Sequence, residues 1–145
     1  MTAIRAHGSL LTASVDDRTL TYLLLPYGEE GRTSAGRVTA SKGRLTLPDP
    51  SGLVANLEHD PTRPVARFVS IEEADAGLTA TLRVLATSAG DDLLVEAVEG
   101  VRTGISVEID GPVIRQGNLM GGTLAGAGFV TTPAFPSAQL VATDA

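Results

Sequence analysis

The sequence predicts one mainly β domain with a helical element, an α+β chain, and three observations support this. Only two Tyr and three Phe occur among 145 residues, so the core has to be aliphatic. Sixteen Gly and eight Pro are scattered without a repeat, which favours many turns between short elements. Several segments alternate between apolar and polar residues with the period of a half-buried strand. The length is that of about one domain.

The strands are predicted from this alternation and from breakers such as Pro26 and Gly28. We expect an N-terminal arm or edge strand over residues 1–19, before a domain over 20–145. Within that domain, the predicted strands cover residues 20–26, 53–59, 65–70, 78–86 and 105–110. The segments 65–70 and 78–86 form an antiparallel hairpin.

One helix is predicted between the hairpin and the last of these strands. Asp91 or Asp92 is its expected N-cap, and Gly104 ends it. Its apolar face consists of Leu93, Leu94, Ala97, Val98 and Val101. In the strand that follows, Ile105, Val107 and Ile109 form the inward row, and the opposite row is Ser106, Glu108 and Asp110.

Composition excludes several classes of protein. The chain has no Cys, so thiol catalysis, disulfide scaffolds and thiolate zinc sites are ruled out. Its net charge is −6, and residues 68–145 carry 3 basic and 10 acidic side chains, which argues against nucleic-acid binding. The sequence shows neither an apolar membrane span nor a signal peptide, so we expect a protein that is soluble in the cytoplasm where it is made.

Metal and cofactor sites are not predicted either. His7 and His59 are too far apart in sequence to form a recognisable zinc motif. The segment 28–31 has a Gly at each end, but it lacks the Lys and the spacing of a phosphate-binding loop, so we interpret it as a turn. We therefore expect no cofactor.

Ser106 and His59 remain as a candidate catalytic pair. Serine hydrolysis needs a base within hydrogen-bond reach of the hydroxyl, and that base is most often a histidine from elsewhere in the chain. The residues alone leave a second interpretation open. Ser106 also fits an ordinary outward position of an amphipathic strand, and His59 also fits a hydrogen-bonded residue at a strand end.

Several segments, in this order and with these gaps, resemble the HK97-type prohead proteases of tailed phages. They are residues 57–67, 72–78, 90–100, 104–107 and 129–138, so the similarity extends over roughly residues 20–140. The resemblance implies the fold of the herpesvirus assemblins, a closed, mostly antiparallel β-barrel with flanking helices. Ser106 and His59 match the serine and the histidine of the family.

The resemblance also implies a function. Such proteins are serine endopeptidases of bacteriophage capsid maturation, hydrolases that act inside the prohead, in the cytoplasm of the bacterial host. They remove scaffold segments from the major capsid protein and often cleave themselves. The major capsid protein is thus the expected partner and substrate, a homodimer is suggested by analogy with assemblins, and neither nucleic acid nor membrane is expected.

The third catalytic residue departs from the commoner family pattern. Many relatives have an acidic residue just before the last strand, where this chain has only Leu, Ala and Gly at 124–128. Glu108 is our hypothesis for the third member, because it lies two residues after Ser106 on the same strand face. A Ser-His dyad, the Thr131 hydroxyl, or a merely exposed Glu108 are the alternatives.

A second function is compatible with the resemblance. Without the usual acid, the chain could be a protease-like structural or decoration component of the capsid. The presence of both His59 and Ser106 favours the protease. A small-molecule-binding barrel would explain none of the matched segments.

Overall fold

The computed structural model describes residues 3–33 and 36–131. Nine strands, one α-helix and a short 3₁₀ turn at Pro50–Gly52 make up this part of the chain. In chain order they are β1 (Ala3–Ser14), β2 (Thr19–Pro26), β3 (Glu30–Thr33), β4 (Gly36–Thr39), β5 (Val54–Leu57), β6 (Asp60–Glu73), β7 (Gly77–Val84), α1 (Ser88–Val98), β8 (Gly104–Arg115) and β9 (Asn118–Val130).

The strands form one nine-stranded sheet in the order β3-β4-β9-β5-β6-β7-β2-β1-β8, with a further pairing between β8 and β9. Most neighbours are antiparallel, as hairpin connections require. β9 pairs in parallel with both β4 and β5. β8 lies between β1 and β9, so the strand that carries Ser106 has a neighbour on each side.

The mainly β composition is observed, but the prediction of a closed antiparallel β-barrel with flanking helices is wrong. Closure removes every edge strand, whereas this sheet ends at β3, whose neighbour in the sheet order is β4. The sheet is also of mixed direction. Within the described ranges it is accompanied by one α-helix rather than several. Alternation along single strands carries no information about which strands pair, so it could not show whether the sheet closes into a barrel.

Two strands differ from their predicted form. The N-terminal segment is neither an arm nor an edge strand, because β1 pairs with β2 on one side and with β8 on the other. The strand predicted over 53–59 stops at Leu57, where the chain turns back into β6. The Pro-rich ending at 133–138 lies outside the described residues.

The core lies on the inward faces of the strands and is aliphatic, as predicted. The inward row of β8, Ile105, Val107 and Ile109, has no exposed surface. In the confirmed β6–β7 hairpin, the alternating row of β7 is at most 2% exposed. Burial of such side chains contributes about 1.5–3 kcal/mol each for the larger ones.

The helix starts earlier than predicted. Its N-cap is Thr87, whose Oγ1 accepts a hydrogen bond from the Gly90 N–H at 3.1 Å, and not Asp91 or Asp92. A side-chain oxygen at this position satisfies an amide that the helix itself leaves unpaired. Asp91 lies in the first turn instead, where its carboxylate accepts a hydrogen bond from Arg18 Nη2 at 2.9 Å.

Candidate active site

Ser106 is the third residue of β8 and is fully buried. Its register partners are His7 of β1 and Gly128 of β9. It belongs to the row opposite the aliphatic core, together with Glu108, which is partly exposed, and Asp110, which is exposed. The Ser106 Oγ has no hydrogen-bond partner among the described residues. A buried hydroxyl without a partner is unfavourable for stability, and a catalytic role is one explanation for its presence.

His59 lies in a two-residue turn between β5 and β6, with Leu57 paired to Asp60. Both turn residues have positive φ, 51° at Glu58 and 62° at His59. Positive φ at both central positions is typical of the type I′ hairpin turn, which usually contains Asn or Gly. For other residues this conformation costs about 1–3 kcal/mol each and persists only where the surroundings impose it. The turn that presents His59 is therefore strained.

Contacts on the Glu58 side hold this turn. The Glu58 N–H donates to the Phe129 carbonyl of β9 at 3.0 Å. The Glu58 carboxylate is paired with the guanidinium of Arg102, which also donates to Glu96 of α1 at 3.2 Å. The turn is thus attached to the sheet through its backbone and to the helix region through Arg102.

The His59 ring is held by Glu108. Its Nδ1 lies 2.5 Å from Oε2 of Glu108, and the two side chains are 10% and 21% exposed. Because a carboxylate only accepts hydrogen bonds, this contact makes Nδ1 the donor and leaves the Nε2 lone pair free in the neutral ring. Nε2 is buried and has no partner in the described part of the chain. It is thus available as a base.

Glycines of β9 make room for this contact. A Cβ on Gly128 would lie 2.6 Å from Nδ1 and 2.8 Å from Cε1 of His59, closer than real Cβ contacts allow. Directly opposite residues on antiparallel strands have Cβ positions about 4.5–5.5 Å apart. Since Gly128 is opposite Ser106, the His59 ring occupies the place beside the serine. Likewise, Gly126 is opposite Glu108.

A third buried polar atom without a partner, the Tyr22 hydroxyl, belongs to the core side of the sheet. The Tyr22 ring packs on Phe129 with a centroid distance of 5.6 Å. Burial raises the pKa of Tyr22, and the charge of Arg102 opposes this rise. Tyr22 therefore stays protonated near neutral pH.

Of the predicted site residues, the structure brings His59 and Glu108 into contact and places Ser106 beside them. No hydrogen bond joins Ser106 Oγ to His59 Nε2. Thr131 is exposed just beyond β9 and, since Nε2 has no partner, makes no hydrogen bond with it. The catalytic roles of Ser106, His59 and Glu108 stay predictions.

Sequence reasoning missed Gly128, Glu58 and Arg102. The spacing of Gly126 and Gly128 in a strand was available as an indication, because Gly inside a strand often marks the close approach of another group. Nothing in the sequence indicated a turn at Glu58, which lacks the residues that such turns prefer.

Within residues 3–33 and 36–131, no three His, Asp or Glu side chains gather closely enough to hold a metal ion. In the same ranges, α1 falls short of the length and hydropathy that a membrane crossing needs.

No protein-family model matches this sequence, and no curated protein matches it. One solved structure, that of the bacteriophage T4 capsid assembly protease, gp21, is similar to this chain with 10% sequence identity and a TM-score of 0.47. The similarity covers 92% of this chain and 98% of the T4 chain. A TM-score of this size does not establish a shared fold.

Proposed function

We propose that this protein is a serine endopeptidase that cleaves scaffold segments from a phage major capsid protein during head maturation. Ser106 is the nucleophile, His59 the general base and Glu108 the third member of the site. The observation that carries the proposal is the 2.5 Å contact between His59 Nδ1 and Glu108, which leaves Nε2 free beside an unpartnered Ser106 hydroxyl. Nucleophile, base and orienting group are the parts that acyl transfer requires.

In the acylation step, Nε2 of His59 accepts the Ser106 proton while Oγ attacks the carbonyl carbon of the scissile peptide. The resulting imidazolium donates that proton to the leaving amine as the C–N bond breaks. The acyl group is now an ester of Ser106. Water then attacks the ester, His59 takes the water proton, and Ser106 regains it as the acid product leaves.

Glu108 acts on His59 rather than on the substrate. Its carboxylate accepts the Nδ1 proton, which selects the tautomer with a basic Nε2 and stabilises the imidazolium formed in each step. In this arrangement the acid comes from the strand of the nucleophile, two residues after Ser106. It replaces the acid that the resemblance implies just before the last strand, where residues 124–128 carry no carboxylate.

The capsid substrate is supported by the resemblance of five ordered segments to the prohead proteases. Two of these segments supply the site: 57–67 contains His59, and 104–107 contains Ser106. The prohead interior is the corresponding place of action, and the major capsid protein the corresponding partner.

The test is co-expression with the major capsid protein of the same phage. We expect Ser106→Ala to leave the scaffold segment attached, whereas wild type removes it. Ser70→Ala, a partly buried serine of β6 that is outside the site, serves as the matched control and should process normally. Processing by the Ser106→Ala variant would show that the assignment is wrong.

A second candidate, a protease-like structural or decoration component of the capsid, is favoured by one observation. Ser106 is 0% exposed and makes no hydrogen bond with His59. Hydrogen bonds of this kind are often long before substrate binds, so the protease remains the better conclusion. A fluorophosphonate reagent separates the two, because an activated serine displaces its fluoride and becomes phosphonylated. Labelling of wild type at Ser106 supports the protease, and incorporation into heads without labelling supports the structural component.

A further inference from the structure

Arg102 connects three parts of the molecule near the site. It follows α1 and precedes β8 by two residues. Its side chain is 14% exposed and pairs with two carboxylates, Glu96 of α1 and Glu58 of the turn. A guanidinium can hold two such partners at once because its donors project in a planar fork.

Glu58 is the residue before His59 and shares its strained turn. Both residues keep positive φ although neither is Gly or Asn. Such a conformation persists only where the surroundings over-determine it. On the Glu58 side, the described contacts are the backbone hydrogen bond to Phe129 and the ion pair with Arg102.

We propose that Arg102 is a positioning residue for His59, acting through the Glu58 carboxylate. The inference rests on the proposed function and adds a residue to it. The described hydrogen bonds of the Arg102 side chain go to Glu58 and Glu96, and Ser106 Oγ and His59 Nε2 receive none. Its effect is to keep the turn in the conformation that places the ring between Gly128 and Glu108.

Loss of this ion pair should allow the turn to relax toward ordinary φ values. The His59 ring would then shift relative to Ser106, and a misplacement of about 1 Å can cost ~100-fold in rate. Because Arg102 acts on the turn through Glu58, we expect kcat to fall while KM changes little.

The experiment compares Arg102→Gln, Glu58→Gln, and the two combined, all in the full chain. The readouts are the rate at which a fluorophosphonate labels Ser106, kcat and KM on a capsid-derived peptide, and thermal stability. Glu99→Gln, an exposed carboxylate next to α1, is the matched control and should label at the wild-type rate.

We expect each single variant to label about 10- to 100-fold more slowly. If the two side chains act as one pair, the double variant loses no more than the slower single variant. Arg102→Lys should recover part of the rate, because an ammonium can still pair with Glu58 but cannot reproduce the fork. If Arg102→Gln fails to fold, Glu58→Gln alone decides the question.

Proton NMR of the free protein keeps this inference separate from the proposed function. The His59 Nδ1 proton, held by a carboxylate in a short hydrogen bond, should resonate far downfield in wild type. If Glu58→Gln and Arg102→Gln lose this resonance and Glu99→Gln keeps it, the positioning role is supported even if wild type is never labelled. Wild-type labelling rates in both single variants, or losses that multiply in the double variant, would overturn it.

Discussion

The two halves of the candidate site are held in different ways. Ser106 and Glu108 lie on β8, an interior strand whose pairing with β1 and β9 fixes their place through backbone hydrogen bonds. His59 lies on a two-residue turn with positive φ, which is held by Glu108 and by the contacts of Glu58. The nucleophile and the acid are thus placed by register, and the base is placed by side chains.

The site is more vulnerable at the turn than at the strand. A strand between two neighbours cannot shift one residue without moving a whole row of buried side chains to the wrong face. A strained turn can relax once a few side-chain contacts are lost. We therefore expect substitutions around the turn to reduce activity far more than they reduce stability.

The largest effect is expected where the two halves meet. Glu108→Gln removes the charge that stabilises the imidazolium and offers an amide that can hold the wrong tautomer, so kcat should fall about 10³- to 10⁴-fold. Steady-state hydrolysis of a capsid-derived peptide measures it. Asp110→Asn, the next residue of the same row, is the control and should keep wild-type activity. Wild-type activity in Glu108→Gln would contradict the role of Glu108 and would mean that Ser106 and His59 act as a dyad.

The next effect concerns the glycine on which the His59 ring rests. Gly128→Ala places a methyl group in the space of the imidazole, so the ring must move, and we expect a loss of about 100-fold in kcat. Gly121→Ala, also in β9, meets Val113 at an ordinary 3.8 Å and should be neutral. A crystal structure of Gly128→Ala should show His59 displaced from Glu108. Equal activities of the two variants would contradict the role of Gly128.

The strand-borne half of this arrangement could be predicted from the sequence. Alternation places Ser106 and Glu108 on one face because side chains two apart in a strand point the same way. The buried row of Ile105, Val107 and Ile109 follows from the same period. What alternation could not predict was the pairing of strands, and this is why the barrel expectation failed.

The turn-borne half could not be predicted in the same way. The pattern over 53–59 continues to alternate through the turn, so the reversal at Glu58 leaves no trace in hydrophobic periodicity. The contact of Gly128 with His59 is tertiary, between residues 69 positions apart in the sequence. The contact of Arg102 with Glu58 depends likewise on how the helix region meets the sheet.

A smaller effect tests whether the turn is strained. Glu58→Ala and Glu58→Gly both lose the ion pair with Arg102, so kcat should fall in both, and by less in Glu58→Gly because Gly adopts the positive φ of the turn without strain. They differ in backbone cost: a residue with a Cβ is disfavoured at positive φ by about 1–2 kcal/mol, which Gly avoids. Urea denaturation should therefore show Glu58→Gly to be the more stable variant by about 1 kcal/mol. Equal stabilities would mean that position 58 carries no strain.

The smallest effect, a change in stability alone, is expected at Glu73. Like Glu108, this carboxylate has a partner at 2.5 Å, the Tyr27 hydroxyl, but it lies outside the site. Hydrogen bonds from Tyr27 and from the Gly43 N–H hold the pKa of Glu73 below its ordinary value. The ionised Glu73 carboxylate therefore stabilises the folded state at neutral pH, and this contribution is lost as the pH falls through the folded-state pKa.

Because Glu73 is exposed, Glu73→Gln should lower the melting temperature by less than about 2 °C at pH 7, and the difference should vanish in acid. Melting curves against pH measure it, and a difference that stays constant into acid would contradict the role of the Glu73 charge. Activity should not change, since this carboxylate is not bonded to the base.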